Sequence, residues 1–392
     1  MNSISRRAFL GSAAAIGALG VTGGRFAQAA GTISIGASLS LTGRFSDSAK
    51  YVEEGYRLWE EQINAGGGIK GSQVKITIYD DESNPDTGRV LTQRLIDRDG
   101  AVAILGPYSS PITDAAAVVV ERSQIPLIGT IASDSSIWTR RKLKWSFQAF
   151  PSSDFDHEGF IKVLGEKAGD RKKLAIVFEE NPFSIAAKDW AVPFAEKMGF
   201  TVQTYGYAPG GQDFRSIIEK IVSFGAHAVS MGGYYQPSIA LTRQMIERGY
   251  NPDGYNFIQA ADGVTKDALG ANVEGIFGRS AWEASVKNAA NDAFVGAYGK
   301  KYSRTPSYHS AAAYAAGQVL EAAIKAKGAE PEAIRDFIAS NAVETVLGNF
   351  KVNEKGQQVG YRYLCTQWQG GTSKVVGSAS GTAAEWPKPA WK

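Results

Sequence analysis

Apolar positions along this chain follow two spacings in turn. Short runs rich in Val, Ile, Leu and Ala are each followed by a longer stretch in which apolar residues recur every three or four positions. Such alternation predicts strands and helices layered around parallel sheets, an α/β fold. Residues 32–41 predict a strand, and residues 50–65 a helix with Val52, Tyr56, Trp59 and Ile63 on one face and glycines ending it. Strands over 74–79, 101–105 and 126–131 alternate with helices over 86–97 and 112–122 and complete one layered unit. After a basic, irregular stretch at 138–145 a second unit follows, with strands over 174–178, 201–207, 227–231 and 255–259 and helices over 185–197, 214–224 and 237–248. Helices over 288–302, 311–325 and 332–340 and a β-rich segment over 361–368 remain, before a Gly/Ser/Thr-rich tail at 370–382. Helices left over after two complete units predict that the chain crosses between them more than once, at 147–153, 278–282 and 348–360.

Composition narrows the class. The 392 residues are 44% hydrophobic and 21% charged with only 14 Pro, a globular composition with room for two or three cores. The formal charge of +3 is carried by Arg6, Arg7 and Arg25, because residues 1–29 hold no acid and the rest of the chain is balanced. No basic field therefore speaks for nucleic acid. Arg6-Arg7 before Ala8-Phe9-Leu10, a Gly/Ala-rich stretch and Ala27-Gln28-Ala29 predict a twin-arginine export signal over 1–29, cleaved before Ala30. That stretch is too short and too rich in glycine for a membrane anchor, and no cysteine near the cleavage point offers a lipid attachment. A soluble chain exported to the periplasm is expected. The single cysteine, Cys365, leaves no internal disulfide, and its apolar strand predicts burial.

Motifs with chemical content are few. Gly66-x-Gly68-x-x-Gly71 has dinucleotide-fingerprint spacing but follows a helix and precedes a strand, so it reads as a helix end and turn. The acidic group Asp80, Asp81, Glu82 and Asp86 lacks calcium-loop spacing, and Asn84-Pro85-Asp86 reads as a turn and helix start. Arg140, Arg141, Lys142 and Lys144 between two tryptophans read as a solvated loop. There is no nucleophile elbow, phosphate loop or H-E-x-x-H, and His157, His227 and His309 are too scattered for a zinc set. No enzyme, metal or cofactor is expected. Three loops share one placement: Gly106 to Ser110, Thr130 to Ser133 and Gly232 to Tyr235 each follow a predicted strand. Ligands of open parallel sheets bind beyond the carboxyl ends of strands, and serine hydroxyls with helix N-terminal amides suit a carboxylate. Asp262 follows a strand at the equivalent edge of the second unit and suits an ammonium.

Residues 36–45, 63–71, 79–85, 104–110, 125–133, 147–154, 176–183, 232–234 and 348–356 resemble the type I periplasmic binding proteins of the branched-chain amino-acid (Leu/Ile/Val-binding) group, and the resemblance covers the whole mature chain. It implies two Rossmann-like parallel-sheet lobes joined by three crossovers, a Venus-flytrap, with one lobe from 30–150 and 280–350 and the other from 151–279 and 351–392. It also implies that Ser110 and Ser133 hold a ligand carboxylate, Ile131 and Ala132 line the same loop, and Asp262 meets the ammonium. Phe183 and Tyr234 approach from the second lobe, Tyr108 belongs to the first, an aromatic falls at Tyr308 or His309, and Ser48 stands where some relatives carry tyrosine. Some relatives have a disulfide at the positions of Ser83 and Ser109. The function implied is the extracytoplasmic solute-binding component of an ABC importer, a monomer serving a membrane permease, binding no nucleic acid and taking an apolar or branched-chain amino acid. Aromatic or aliphatic carboxylates, or short amides and urea, are the alternative ligands.

Overall fold

The computed structural model describes residues 31–285, 289–377 and 381–392. The predicted export signal and its cleavage point before Ala30 lie outside the described residues, as does Asn288, where one helix was expected to begin.

The chain opens with β1 (Thr32–Leu39), α1 (Ser46–Ala65), β2 (Gln73–Asp80), α2 (Pro85–Asp97), β3 (Ala103–Leu105), α3 (Ser110–Ser123), β4 (Leu127–Gly129), the short α4 (Ser136–Thr139) and β5 (Ser146–Gln148). These five strands form one parallel sheet in the order β2-β1-β3-β4-β5. Then come α5 (Glu158–Lys167), β6 (Lys173–Glu179), α6 (Pro182–Lys197), β7 (Thr201–Tyr207), α7 (Arg215–Phe224), β8 (Ala228–Gly232), α8 (Tyr235–Arg248), β9 (Gly254–Phe257), α9 (Gly263–Leu269) and β10 (Phe277–Ser280). The chain returns to the first lobe for α10 (Ala289–Tyr302), α11 (Tyr308–Lys327), α12 (Pro331–Ser340) and the small hairpin β11 (Val343–Thr345) and β12 (Gly348–Phe350). It ends in the second lobe with β13 (Leu364–Gln369) and β14 (Thr372–Val375), giving a seven-stranded sheet β14-β13-β10-β9-β8-β6-β7. Three passages between sheets result, after β5, β10 and β12. Among the described residues no helix is long and apolar enough to cross a membrane.

Burial follows sheet position. Central β8 is buried at every residue, whereas the edge strand β7 is exposed over most of its length, as expected when helices cover both faces of a parallel sheet and leave its edge open. Helices α1 and α11 pack with unusually close backbones. A Cβ on Gly55 would meet Ser310 O at 2.3 Å, and one on Gly317 would meet the Trp59 ring at 2.4 Å. The glycines after α1 do form a turn, with positive φ at Gly67, Gly68 and Gly71. Asn84 caps α2 by accepting from Asp86 N at 2.8 Å, while Asp80 and Asp81 accept from Thr42 and Ser40 and tie the ends of β1 and β2 together. The basic loop folds back on its own lobe, Arg140 and Arg141 both pairing with Asp114.

The structure adds elements to those predicted. β5, β10 and β12 fall where only loops or crossings were expected, α4, α5, α9 and β11 were unassigned, and β14 lies in the stretch read as a tail. β5 is three residues long and β10 reads Phe-Gly-Arg-Ser, so neither carries a period.

Candidate functional site

The sheet ends and helix starts of both lobes meet in one place. Ser110 is the first residue of α3, Phe183 the second of α6, Tyr234 directly precedes α8, and Tyr308 and His309 open α11. Local chemistry holds these starts. Asn181 Oδ1 accepts from Ser184 N at 2.9 Å with Pro182 at the first helical position, and Ser307 Oγ accepts from His309 N at 3.0 Å.

Between the lobes lies a residual cavity of about 20 Å³, little more than one water fills. Tyr108, Ser109, Ser110, Ile131 and Ser133 line it from the first lobe, with His309 at the start of α11. Phe183, Tyr234, Gln259 and Arg279 line it from the second. The cleft is closed on its own rings. Phe45 lies 4.5 Å from Tyr234 and 5.7 Å from Tyr108 between centroids, and Phe183 lies 5.5 Å from Tyr234. Phe183, Tyr234 and Ile258 thereby join the hydrophobic cluster of the first lobe.

Of the residues expected at the site, Tyr108, Ser110, Ile131, Ser133, Phe183, Tyr234 and His309 come together here. Three do not reach the cavity. Ser48, on α1, is buried beside the Tyr108 hydroxyl, and Ala132 packs into the cluster beneath β3 and β4. Asp262 is engaged elsewhere: its Oδ1 accepts from the Ser307 hydroxyl and its Oδ2 lies 2.8 Å from His309 Nδ1. It faces a separate cavity of about 580 Å³ shared with Glu283, Arg304 and Tyr308.

Two lining residues, Gln259 and Arg279, were not anticipated. Gln259 ends a predicted strand, which was its only signal, and its Nε2 donates to Tyr108 Oη at 3.1 Å across the lobes. Arg279 lies on β10, where a lone charge between Gly278 and Ser280 reads as loop. It is 6% exposed, and its Nε donates to Asp156 Oδ1 at 2.6 Å. Its guanidinium lies over Tyr363 at 4.2 Å and near Phe150 at 5.4 Å. Burial opposes its charge, but Asp156 and neighbouring phenols outweigh that and raise its pKa. Burial pushes the Asp156 carboxyl up to about 6 against the pull of Arg279, and the Tyr108 phenol up to about 12.

Polar groups facing the cavity are mostly donors in want of an acceptor. Ser110 Oγ accepts from Ser133 N at 3.3 Å and Asp134 N at 3.2 Å, leaving its own O–H to donate. Ser109 Oγ, Tyr234 Oη and Arg279 Nη1 are buried without a partner, and Gln259 Oε1 is the matching unpaired acceptor.

Other pairs hold the lobes together at the rim. Arg44 Nη2 donates to Glu179 Oε1 at 2.6 Å and Oε2 at 2.9 Å, and Gln236 Nε2 donates to Asp47. At the passages, Tyr361 Oη donates to Ala149 O and Tyr363 Oη donates to Pro151 O at 2.7 Å.

Two sheet-and-helix lobes, three passages and a cleft at the strand ends define a two-lobed, ligand-enclosing binding protein. Residues 32–373 match the family described as Periplasmic binding protein, and the chain belongs to that family. It is 28% identical over 374 residues to Leu/Ile/Val-binding protein homolog 7 of Brucella suis, covering 89% of this chain and 92% of that one. The structure superposes on the solute-binding protein of an ABC transporter from R. palustris in complex with benzoate with TM-score 0.81 and 20% identity, over 92% of this chain and 98% of that one. It superposes on the branched-chain amino acid transporter substrate-binding protein LivJ of Streptococcus pneumoniae in complex with isoleucine with TM-score 0.78 and 22% identity, over 91% of this chain and all of that one. At these identities the two structures share the fold.

Proposed function

We propose that the chain is the extracytoplasmic solute-binding component of an ABC importer that encloses a small organic carboxylate between its lobes and presents it to a membrane permease, without catalysing a reaction. The observation that carries this reading is the donor-rich cavity: Ser110, Ser109, Tyr234 and Arg279 offer hydrogens and lack acceptors. A buried donor left unpaired costs about 1–3 kcal/mol, so a carboxylate supplying acceptors stabilises the closed form over the open one. Ser110 and Ser133 receive the carboxylate on the first lobe, beside Tyr108 and Ile131. Phe183, Tyr234, Gln259 and Arg279 reach it only on closure, and that difference in contacts is what lets a ligand shift the lobes. Isoleucine in one neighbour and the Leu/Ile/Val name of the relative support an apolar amino acid, and benzoate in the other supports an aromatic acid; both are carboxylates.

The reading includes a monomer, lobes divided at about 150, 280 and 350, and export by the Arg6-Arg7 signal with cleavage before Ala30. A thermal-shift screen of amino acids, aromatic acids and short amides tests it, since a ligand at a hundred times its Kd adds about 2.7 kcal/mol. A shift with amides or urea and none with any carboxylate refutes the carboxylate reading. N-terminal sequencing of the exported protein tests the cleavage point, and light scattering the monomer.

A further inference from the structure

We infer that the cleft selects carboxylates that carry no ammonium group, and that Arg279, held by Asp156, is the residue that sets this preference. The inference rests on the cleft reading above and narrows its ligand class.

An α-amino acid brings one negative and one positive group into a site, and each must be neutralised when water is excluded. For the negative group the cleft is well supplied. Arg279 presents a buried Nη1 without a partner, and the first turns of α3, α6, α8 and α11 all open onto the same space. Each such helix start carries about half a positive charge. For the positive group there is no counterpart, because no carboxylate lines the cavity among the described residues. The acids nearby are occupied. Asp262 is taken by Ser307 and His309, and Glu179 is taken by Arg44 with the Tyr207 hydroxyl at 3.3 Å. Asp156 stands behind Arg279 and opens on a different cavity, beneath α5. Gln259 Oε1 is an unpaired acceptor, but a neutral amide accepts from a hydroxyl without neutralising an ammonium.

Arg279 is also built to stay in place. Asp156 fixes its Nε at 2.6 Å, and Tyr363, Phe150 and Tyr308 lie within 4.2 to 5.9 Å of its guanidinium carbon. Such packing holds a guanidinium that borders both the cleft and the cavity beneath α5 and keeps Nη1 free, and a charge-assisted bond to an incoming carboxylate then needs little further ordering. Asp156 acts through Arg279 and is a positioning residue.

Matched ligands that differ only in the amino group test this on the full mature chain by calorimetry and thermal shift: 4-methylpentanoate against L-leucine, and 3-phenylpropanoate against L-phenylalanine. At least one deaminated acid is expected to bind tenfold or more tightly than its amino acid, and 3-phenylpropanamide not to bind. Arg279→Gln strands the Asp156 charge, so the paired variant Arg279→Gln with Asp156→Asn, which removes both charges together, serves where the single variant unfolds. It is expected to lose thirtyfold or more in affinity for the acid while its unfolding stays cooperative. The inference is overturned if either amino acid binds more tightly than its deaminated acid, or if the folded paired variant binds the acid undiminished; the solute-binding reading survives both. If no carboxylate of either kind binds at millimolar concentration, both readings fail together.

Discussion

Removal of Arg44 isolates what one interlobe ion pair contributes to closure. Arg44 reaches from the loop after β1 to Glu179 at the end of β6, with one nitrogen 2.6 and 2.9 Å from the two carboxylate oxygens. The Glu179 side chain is 1% exposed and that of Arg44 31%. With the lobes apart both charges return to water, so Arg44→Ala changes the open form little. In the closed form it leaves Glu179 buried with only the Tyr207 hydroxyl. Truncating one partner of a buried pair costs about 2–5 kcal/mol, and the exposed third of Arg44 places this pair at the low end. About 2 kcal/mol is roughly a thirtyfold loss of ligand affinity. Calorimetry with the best ligand from the screen reads that loss, and urea unfolding of the ligand-free variant shows whether folding is spared. Adding Glu179→Gln removes the stranded charge, so the double variant is expected to recover most of the loss. Affinity within threefold of wild type for Arg44→Ala, or a double variant as weak as the sum of the singles, refutes the closure argument.

Asp262→Asn keeps the shape of the Ser307 and His309 contacts, so affinity for a deaminated acid is expected to change less than tenfold; a hundredfold loss measured by calorimetry refutes that placement. His157 is buried, with Nδ1 2.7 Å from Ser230 Oγ, and burial together with Arg279 pushes its pKa down to about 3. Its stabilising effect is therefore full above the unfolded value near 6.5 and lost as pH falls from there towards 3, at up to about 1.4 kcal/mol per pH unit. The stability gap between wild type and His157→Leu should narrow between pH 6.5 and 4 in urea titrations, and a gap constant with pH counts against it. Gly55→Ala forces α1 away from α11, and overpacking of this kind costs about 1–3 kcal/mol. An unchanged urea midpoint would contradict that close approach.

Elements with a long repeat were legible in the sequence. In α1 and α8 the apolar stripe persists over several turns, and the fully buried β8 could be taken for nothing else at its length. α5 carried a signal too, since Phe160, Ile161 and Leu164 share a face, but Gly159 and Gly165 interrupt it. The strand-end loops of the site were legible because Ser110, Ser133 and Tyr234 stand where a strand gives way to a turn. Long-range partnerships were not. Asp262 is spent across the lobes on Ser307 and His309, 45 and 47 positions along the chain, and Arg279 within its own lobe on Asp156, 123 positions back. No local pattern encodes such pairs, because closure in the first case and the packing of β10 against the start of α5 in the second make them neighbours.

Cys365 is the chain's only thiol. It sits on β13, where a Cβ on Gly159 would lie 2.6 Å from its own Cβ, and burial pushes its pKa up to about 12. The burial expected of it is incomplete, because the side chain is partly exposed and borders the cavity beneath α5, but a thiol held protonated is slow towards maleimides, so the native protein gives a low background for dye chemistry. Val90 on α2 of the first lobe and Ile185 on α6 of the second are 56% and 36% exposed. Cysteines introduced at those two positions would carry a donor and an acceptor fluorophore with Cys365 the slower competitor, which turns the motion of the lobes into an optical signal and the protein into a candidate reagentless sensor for whatever it binds.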